Sequence, residues 1–359
     1  MVPSALPLNF SIVIPTYNGA QRLPGLFACL DRCWHWCQNQ DPVMTWEVIV
    51  VDNGSQDETR QVVEQYQNQW ADRGRDRTNP PQPWESGPSA PIHPGEPLPL
   101  VRYAFEPQPG AAHARQRGVT LAQAEWIGFL DDDNWPEPDW IGAALAFAQA
   151  HPRTGAIGSQ IHGAFATPPP PELDPLLPYL AIVERGDRPL EYLPQKKLLP
   201  PSAGLVVRRS VWLTCLPHRL RLTGRTATSM LTAEDLEALA HILRHGWQVW
   251  YNPAMVIHHQ IPPWRLQASY LLPFFQGIGL SRHVTRILSV PPWQRPLWFG
   301  LYIANDLRRI LRLLLSHGLP RRSNLVARCY LTLYGYSLLS PFYLGWQGIR
   351  SGGRRRSSP

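Results

Sequence analysis

Residues 126–135 read WIGFLDDDNW, an apolar run that ends in three consecutive aspartates and an asparagine. Neighbouring carboxylates repel each other, and two unit charges about 4 Å apart cost roughly 4 kcal/mol at an effective dielectric constant of about 20. A cation at the end of the run would offset this repulsion, and hard divalent cations bind carboxylate and phosphate oxygens. The stretch therefore predicts a buried strand whose carboxyl end faces a divalent cation.

Three earlier runs have the same strand character, and helical patterns separate them. The four predicted strands cover residues 10–14, 46–51, 100–105 and 126–130. Helical patterns begin at Leu23, after Ser55 and near Ala111. Strands that alternate with helices favour a parallel sheet covered on both faces. The sequence therefore predicts an α/β fold with a mostly parallel sheet and helices on both faces.

Polar residues follow three of these strands. They are Pro15, Thr16, Tyr17 and Asn18, then Asp52, Asn53 and Ser55, and finally Asp131, Asp132 and Asp133. Ligands of open α/β sheets bind outside the carboxyl ends of the strands. The carboxylate of Asp52 suits a ribose hydroxyl or the N–H of a base because it accepts hydrogen bonds, although Asp-Asn-Gly is also ordinary turn sequence. We expect a nucleotide and a metal at this edge.

The charge of the chain is divided unevenly. The net charge is +7, and the stretch from Pro263 onward carries 14 Arg and one Asp, so that stretch carries +13 and the remainder −6. A basic tail indicates an anionic partner, either a membrane or a nucleic acid. The leucine, tyrosine and tryptophan content of the tail favours lipid, and we expect no nucleic-acid partner.

Two regions divide the chain. Residues 1–265 are predicted as the catalytic domain, with a Pro- and Gly-rich loop inserted at 69–99. Residues 266–359 are predicted as a basic, helical region in which Leu307, Ile310, Leu311 and Leu314 share one face, with Arg308 and Arg312 away from it. This pattern is typical of contact with a membrane surface, ordinary packing on the catalytic domain is the alternative, and the region is a poor candidate for a span. No signal-peptide pattern opens the chain, so we expect a cytoplasmic protein on the inner face of the membrane.

Four motifs in order resemble family 2 glycosyltransferases with the GT-A fold. They are SIVIPTYN (11–18), VIVVDNGSQDET (48–59), GAAHARQRG (110–118) and FLDDDN (129–134). The stretches LPPSAGLVVRRSVW, AEDLEAL and YNPAMVIHHQIPPWRL resemble more closely the hormogonium polysaccharide biosynthesis type of that family. The resemblance covers roughly residues 8–262 and implies a GT-A fold.

The resemblance also implies roles for single residues. Pro15, Thr16, Tyr17 and Asp52 match positions that hold the nucleotide base, and Arg115 matches one near the base and phosphates. Asp131 and Asp133 match the two ends of the metal-binding motif for Mg²⁺ or Mn²⁺, and His258 matches a position that can approach the metal or the diphosphate. These implied ligands describe a site for a nucleotide-diphosphate sugar, linked to UDP or GDP.

Glu234 and Asp235 open a predicted helix that Thr232 can cap. Acidic residues in a first turn stabilise the helix dipole and need no other purpose. The resemblance implies more: Asp235 matches the catalytic base of inverting enzymes, and Glu234 is an acceptor-positioning residue or an alternative base. A carboxylate within hydrogen-bond reach of the acceptor hydroxyl can take its proton.

The combined pattern favours an inverting, metal-dependent glycosyltransferase that acts on a polysaccharide or lipid-linked acceptor. Trp264-Arg265 lacks the Gln-x-x-Arg-Trp arrangement of processive polymerases, which indicates transfer of one sugar at a time. A sugar nucleotidyltransferase is one alternative, but no Gly-rich phosphate loop follows the first strand. A non-catalytic protein that binds nucleotide sugars is the other.

Overall fold

The computed structural model describes residues 8–41, 44–73, 100–193, 199–226, 230–288, 290–317 and 324–353. The strands in these ranges are β1 Phe10–Thr16, β2 Trp46–Asp52, β3 Leu100–Phe105, β4 Trp126–Phe129, β5 Asn134–Pro136, β6 Thr154–Phe165, β7 Leu190–Glu191, β8 Val206–Arg208 and β9 Gln248–Ile261. The α-helices are α1 Leu23–Gln40, α2 Thr59–Arg73, α3 Ala111–Leu121, α4 Trp140–Ala150, α5 Arg209–Cys215, α6 Glu234–Arg244, α7 Ala268–Leu288, α8 Arg295–His317 and α9 Leu325–Gly353.

The strands form one sheet in the order β3-β2-β1-β4-β8-β6-β9-β5, and β7 pairs with β9. Strands β3, β2, β1 and β4 are parallel to one another, as the sequence predicted. Beyond β4 the sheet is mixed, because β8 is antiparallel to β4 and β6, and β5 and β7 are antiparallel to β9. The α/β class is confirmed, and the parallel half carries the predicted strand ends.

The centre of the sheet is apolar on both faces. Every residue of β1 and β2 is buried, as expected for Val- and Ile-rich strands with helices packed on the sheet. Phe10 and Trp140 meet edge to face with ring centroids 5.7 Å apart. A Cβ at Gly128 would overlap the Trp140 ring, so this glycine lets α4 pack close to β4. This core fixes where β1, β2 and β4 end.

The inserted loop begins later than the sequence predicted. Residues 69–73 belong to α2, which continues to Arg73. The remainder of the predicted loop, residues 74–99, lies outside the described residues. The described residues resume at Leu100, the first residue of β3.

The C-terminal helices pack on the sheet domain through a second apolar cluster. This cluster contains Leu173 and Leu176 from the 3₁₀ segment Pro171–Leu180, Ile261 from β9, Phe275 from α7 and Cys329 from α9. Burial of such side chains is worth about 1.5–3 kcal/mol each. The division at residues 265 and 266 stays a prediction, since one cluster joins the two sides of it.

The exposed face of α8 differs from the predicted one. Leu307 and Leu311 are exposed, but Ile310 packs against the second cluster. Arg308 and Arg312 are exposed as well, on the side of the helix that carries Leu307 and Leu311. Apolar side chains therefore lie on both the packed side and the exposed side of α8. In the described part of the chain, no helix has the length and apolar character to cross a membrane.

Candidate active site

The carboxyl ends of β1, β2 and β4 lie at one edge of the sheet. Thr16 ends β1 and pairs in register with Asp52, which ends β2. The Thr16 hydroxyl donates a hydrogen bond of 2.6 Å to Oδ2 of Asp132. This bond ties the end of β1 to the aspartates that follow β4. The structure therefore brings the predicted strand ends together.

Asp132, the central aspartate, anchors this edge. Arg22 donates to its Oδ1 from Nε at 2.7 Å and to its Oδ2 from Nη2 at 2.9 Å, and such two-point pairs are strong. Burial raises the pKa of the Asp132 carboxyl, and the charge of Arg22 opposes the rise. A Cβ at Gly19 would overlap the Thr16 hydroxyl, so this glycine lets the backbone approach the pair. Both carboxylate oxygens of Asp132 are thus engaged within the protein.

Asp133 lies among positive and polar groups. Arg265 donates to its Oδ2 at 2.7 Å, and Asn134 donates to its Oδ1 at 3.0 Å. Burial alone would raise the pKa of the Asp133 carboxyl, but His259, Arg265 and Arg225 lower it well below its ordinary value. Asp133 is therefore a carboxylate at any physiological pH, which a metal ligand requires.

Arg115 on α3 connects the aspartates to the N-terminus of α6. Its Nη2 donates to Oδ1 of Asp131 at 2.8 Å, and its Nη1 donates to Oε1 of Glu234 at 2.7 Å. The Arg115 side chain is only 5% exposed. Burial alone would lower the pKa of its guanidinium, but the charges of Asp131 and Glu234 raise it above the ordinary value. One buried charge thus fixes two carboxylates from different elements.

Asp235 lies beside Glu234 in the first turn of α6. Its Oδ2 accepts a hydrogen bond from the Ser202 N–H and its Oδ1 accepts one from the Leu236 N–H, both at 2.8 Å. Burial raises the pKa of the Asp235 carboxyl to about 6, and the adjacent charge of Glu234 adds to the rise. A general base works best when its pKa lies near the working pH. Asp235 meets this requirement better than an ordinary aspartate would.

The predicted cap of this helix is wrong. Thr232 does not cap α6; the helix begins at Glu234 after Ala233, whose φ is 75° and whose side chain makes no capping bond. Glu234 Oε2 is buried without a hydrogen-bond partner. The first turn is therefore held by Arg115 rather than by a cap.

Asn18 and Ser55 do not line the site, contrary to the expectation. The Ser55 hydroxyl accepts a hydrogen bond from the Asn18 N–H at 2.9 Å, and Oδ1 of Asn18 accepts one from the Gln56 N–H at 2.8 Å. These bonds join the loops that follow β1 and β2. Both side chains are used to hold the loops together, which sequence spacing alone does not show.

Asp52 and Asn53 hold the turn after β2. Oδ1 of Asp52 accepts from the Ser55 N–H and its Oδ2 accepts from the Tyr103 hydroxyl, both at 2.8 Å. The side chain of Asn53 donates to two carbonyls of the loop after β3 and accepts from the Gly110 N–H. Asp52 is 3% exposed. Within the protein Asp52 supports the turn, and its contact with the nucleotide stays a prediction.

A cavity of about 1180 Å³ opens between the strand ends, α6 and the C-terminal helices. It is lined by ten of the residues singled out from the sequence: Pro15, Thr16, Tyr17, Asn53, Arg115, Asp131, Asp132, Asp133, Glu234 and Asp235. Four others do not line it: Asn18, Asp52, Ser55 and His258. The cavity is larger than the pockets of about 300–1,000 Å³ that hold most small ligands, so it has room for two substrates.

The two histidines of β9 point to opposite faces, as neighbours on a strand do. Nε2 of His258 lies 2.6 Å from Oε1 of Glu137, away from the cavity. Nδ1 of His259 donates to the Leu180 carbonyl at 2.9 Å, and its Nε2 lies 3.6 Å from Oδ2 of Asp133. The approach of His258 to the metal stays a prediction, and β9 turns His259 rather than His258 toward the aspartates.

Sequence reasoning missed the arginines of the site. Arg22, Arg185, Arg225, Arg265 and Arg282 all line the cavity. Nη1 of Arg225 donates to the Tyr270 hydroxyl at 2.8 Å. These arginines come from five separate segments, so no motif spacing marks them. The excess of arginine after Pro263 is the one signal that could have indicated them.

The side chains present fit a divalent cation that phosphates help to hold. No group of three or more His, Cys, Asp or Glu side chains in the described ranges converges as a metal site. Mg²⁺, however, is commonly bound by one or two carboxylates together with substrate phosphates and water. Asp133 is ionised, and Asp131 has a carboxylate that is 30% exposed and hydrogen-bonded to Arg115 through one oxygen. Asp131 and Asp133 would supply part of the coordination shell of such a cation, and a diphosphate would complete it.

Comparison with known families identifies the domain that carries this site. Residues 11–81 and 95–186 match the model of glycosyl transferase family 2. The chain carries a domain of this family. The match begins in β1 and continues past β6, so it includes the strand ends and the three aspartates. The family to which the motifs pointed is thereby confirmed.

Relatives of known activity match parts of the chain. Hyaluronan synthase of Pasteurella multocida is 27% identical over 146 residues, which cover 40% of this chain and 11% of that protein. Validoxylamine A glucosyltransferase of Streptomyces hygroscopicus subsp. jinggangensis is 30% identical over 193 residues, which cover 52% and 37%. The chain thus matches well under half the length of either relative. The activity and substrates of those relatives are therefore not carried over to this chain.

A solved structure supports the fold. Staphylococcus aureus TarS 1–349, crystallised in complex with UDP-GlcNAc, aligns with a TM-score of 0.50 at 15% identity, over 96% of this chain and 92% of that one. Likeness at this identity concerns the fold alone. Together with the family match, it confirms the predicted GT-A fold, with a central sheet and packed helices.

Proposed function

We propose that this chain is an inverting glycosyltransferase that uses Mg²⁺ or Mn²⁺ and moves one sugar from a UDP- or GDP-linked donor to an acceptor hydroxyl. The acceptor is a polysaccharide or a lipid-linked glycan of exopolysaccharide or cell-surface synthesis. The hormogonium-type motifs support this product class. The observation that carries the proposal is the salt-bridge chain Asp131–Arg115–Glu234, which holds the aspartates and the Asp235 base at one cavity.

Each group has a part in a single displacement. The acceptor hydroxyl attacks the anomeric carbon from the side opposite the nucleotide diphosphate, and Asp235 takes its proton. Glu234 fixes the first turn of α6 through Arg115 and raises the pKa of Asp235. A divalent cation held by Asp133 and Asp131 would stabilise negative charge on the departing diphosphate as a Lewis acid. Thr16, Tyr17 and Asn53 line the part of the cavity where the nucleotide is proposed to bind.

The experiment measures nucleotide release and nucleotide binding in the same protein. Purified chain should release UDP or GDP from a nucleotide sugar with Mg²⁺ or Mn²⁺, and a chelator should abolish this release. Asp235→Asn should keep the donor affinity and lower transfer by about 10²–10⁴-fold, the usual contribution of a general base. Exposed Glu64, changed to Gln, serves as the matched control. Normal transfer by Asp235→Asn would reassign the base, and turnover undiminished by chelator would remove the metal.

The C-terminal region is proposed to bind the inner face of the cell membrane. Leu297, Leu301, Leu311 and Leu315 of α8 are each at least half exposed. A helix with exposed leucines and arginines is typical of binding at an anionic lipid interface. A lipid-linked acceptor would then reach the cavity along the surface that holds the enzyme. The basic residues 354–356 lie outside the described residues.

A further inference from the structure

The cavity has a second wall that the donor chemistry does not use. Its acidic lining residues are Asp131–Asp133 and Glu234–Asp235, all on the side of the strand ends and α6. The opposite wall contains Tyr179 and Ile182 next to Phe274, Ile278 and Arg282 of α7. This wall is aromatic and apolar, and its charges are the guanidinium groups of Arg282 and of Arg185, which follows residues 178–183 in the lining. A ligand that lies against it meets positive charge and no carboxylate.

The positive charge of Arg282 is poorly matched within the protein. Its Nη1 lies 3.5 Å from Oδ1 of Asp306, but Arg286 already occupies both oxygens of that carboxylate, at 2.6 and 2.8 Å. Ser337 donates to Asp306 as well, at 2.7 Å. Nη1 of Arg282 is buried and makes no hydrogen bond. Two arginines therefore pair with one aspartate, and the ion pair of Arg282 with Asp306 is weaker than that of Arg286.

The environment of Arg282 opposes its charge. Burial, and after it the charge of Arg286, lower the pKa of its guanidinium to about 10 although Asp306 opposes the fall. The guanidinium also stands over the Tyr334 ring, 5.5 Å from its centroid. A buried cation of this kind is expensive unless an anion pairs with it. An arginine is moreover suited to two-point binding of phosphate or carboxylate.

We propose that the acceptor carries an anionic group, a phosphate or a carboxylate, which binds Arg282 between α7 and residues 178–183. This inference rests on the proposed function, since it names the acceptor class of the same cavity. The aromatic side chains of Tyr179 and Phe274 would contact the apolar part of the acceptor next to the anion. The acceptor hydroxyl would then point toward Asp235, which lines the same cavity.

The test uses three soluble probes with one tail: hexyl phosphate, hexanoate and the neutral hexyl β-glucoside. Each is titrated calorimetrically into the full chain with UDP or GDP and Mn²⁺ present at saturating concentration. At least one anionic probe should bind about tenfold or more tightly than the glucoside, as a charged hydrogen bond allows. Preference for hexyl phosphate assigns a phosphate acceptor, and preference for hexanoate assigns a carboxylate. Equal affinity of all three probes overturns the inference.

Variants connect the preference to Arg282. Arg282→Gln should remove most of the anion preference, and Arg282→Lys should restore part of it. Arg312, exposed on α8, is changed to Gln as the control and should leave the preference unchanged. An anion preference that survives in Arg282→Gln overturns the assignment even if that variant is less stable.

A separate measurement distinguishes this inference from the proposed function. Nucleotide release from the donor into water needs no acceptor, so wild type and the Arg312→Gln control should release it at the same rate. If wild type releases no nucleotide from any donor, the proposed function fails. If it does release nucleotide but binds anionic and neutral probes equally, only the acceptor assignment fails.

Discussion

Arg115 is the residue on which the geometry of the site depends most. Its planar guanidinium reaches Asp131 and Glu234 at once, which a lysine ammonium at the same position could not do with the same two-point geometry. The residue is buried, so each carboxylate depends on it for neutralisation. The aspartates after β4 and the first turn of α6 are far apart in sequence and are connected here by one side chain.

Arg115→Ala should therefore destabilise the fold. Removing one partner of a buried ion pair costs about 3–5 kcal/mol because it leaves an uncompensated charge. Urea unfolding should show this loss as a lower midpoint. The double variant Arg115→Ala/Glu234→Gln should recover part of it, because the neutral amide needs no counter-ion. A double variant less stable than Arg115→Ala alone would mean that Glu234 stabilises the site by another route.

The pKa of Asp235 should determine the acid limb of activity. Since its carboxyl has a pKa of about 6 and the base must be ionised, kcat/KM should fall about tenfold per pH unit below that value. Glu234→Gln removes a negative neighbour that raises this pKa, so the limb should move to lower pH. The measurement is kcat/KM for transfer between pH 4.5 and 8, with about 0.5-unit steps, in wild type and variant.

The matched control for this profile is Glu64→Gln, a change on the exposed face of α2. Its limb should coincide with that of wild type. If the acid limb of Glu234→Gln lies at the same pH as that of wild type, burial alone sets the pKa of Asp235. A limb that moves to higher pH would contradict the arrangement of charges described here.

At the scale of elements, the loop between β3 and α3 depends on one glycine. Gly110 has a φ of 125°, and a Cβ there would overlap the Thr223 carbonyl oxygen. Its N–H donates to Oδ1 of Asn53 at 2.7 Å. This contact sets the start of α3, and α3 carries Arg115 toward the aspartates.

Gly110→Ala should cost more stability than the same change at Gly54. Both glycines have positive φ, but a Cβ at Gly54 meets nothing within 4 Å. Gly54→Ala should therefore cost about 1–2 kcal/mol of backbone strain, and Gly110→Ala should cost more because the backbone of Thr223 must move as well. Chemical denaturation of the two variants measures the difference. Equal losses would mean that the loop yields without disturbing Thr223.

How much of the site is visible in the sequence depends on the element. The ends of β1, β2 and β4 could be predicted, because parallel strands bring their carboxyl ends to one edge. The choice between His258 and His259 could not, because β9 changes register against β6 between Ser159 and Gln160. The phase of a strand is set by its partners, and a one-residue change moves each side chain to the other face.

The cavity belongs to the whole molecule rather than to the sheet alone. One wall comes from the strand ends and the other from α7, with Leu333 of α9 behind it. Besides Arg115, five arginines enter from separate segments, and no local pattern predicts that they meet. The basic tail therefore has two tasks in the proposed enzyme, since Arg265 and Arg282 face the cavity and Arg308 and Arg312 face outward.

Membrane binding through α8 should have two separable parts. Leu301→Asp/Leu311→Asp removes two exposed apolar side chains, each worth up to about 1.5–3 kcal/mol when buried, and should weaken sedimentation with all vesicles. Arg308→Ala/Arg312→Ala should weaken binding only to vesicles that contain phosphatidylglycerol, by about 1 kcal/mol per arginine. Raising the salt concentration should reproduce the second effect in wild type, because salt screens exposed charges.

The control for these variants is Leu213→Asp, which changes an exposed leucine of α5 and should leave vesicle binding intact. If it weakens binding as much as the double change on α8, the contact is not specific to that helix. If none of the variants changes sedimentation, α8 does not carry the membrane contact. The exposed leucines would then require a protein partner, because water alone does not favour a row of apolar side chains on one helix face.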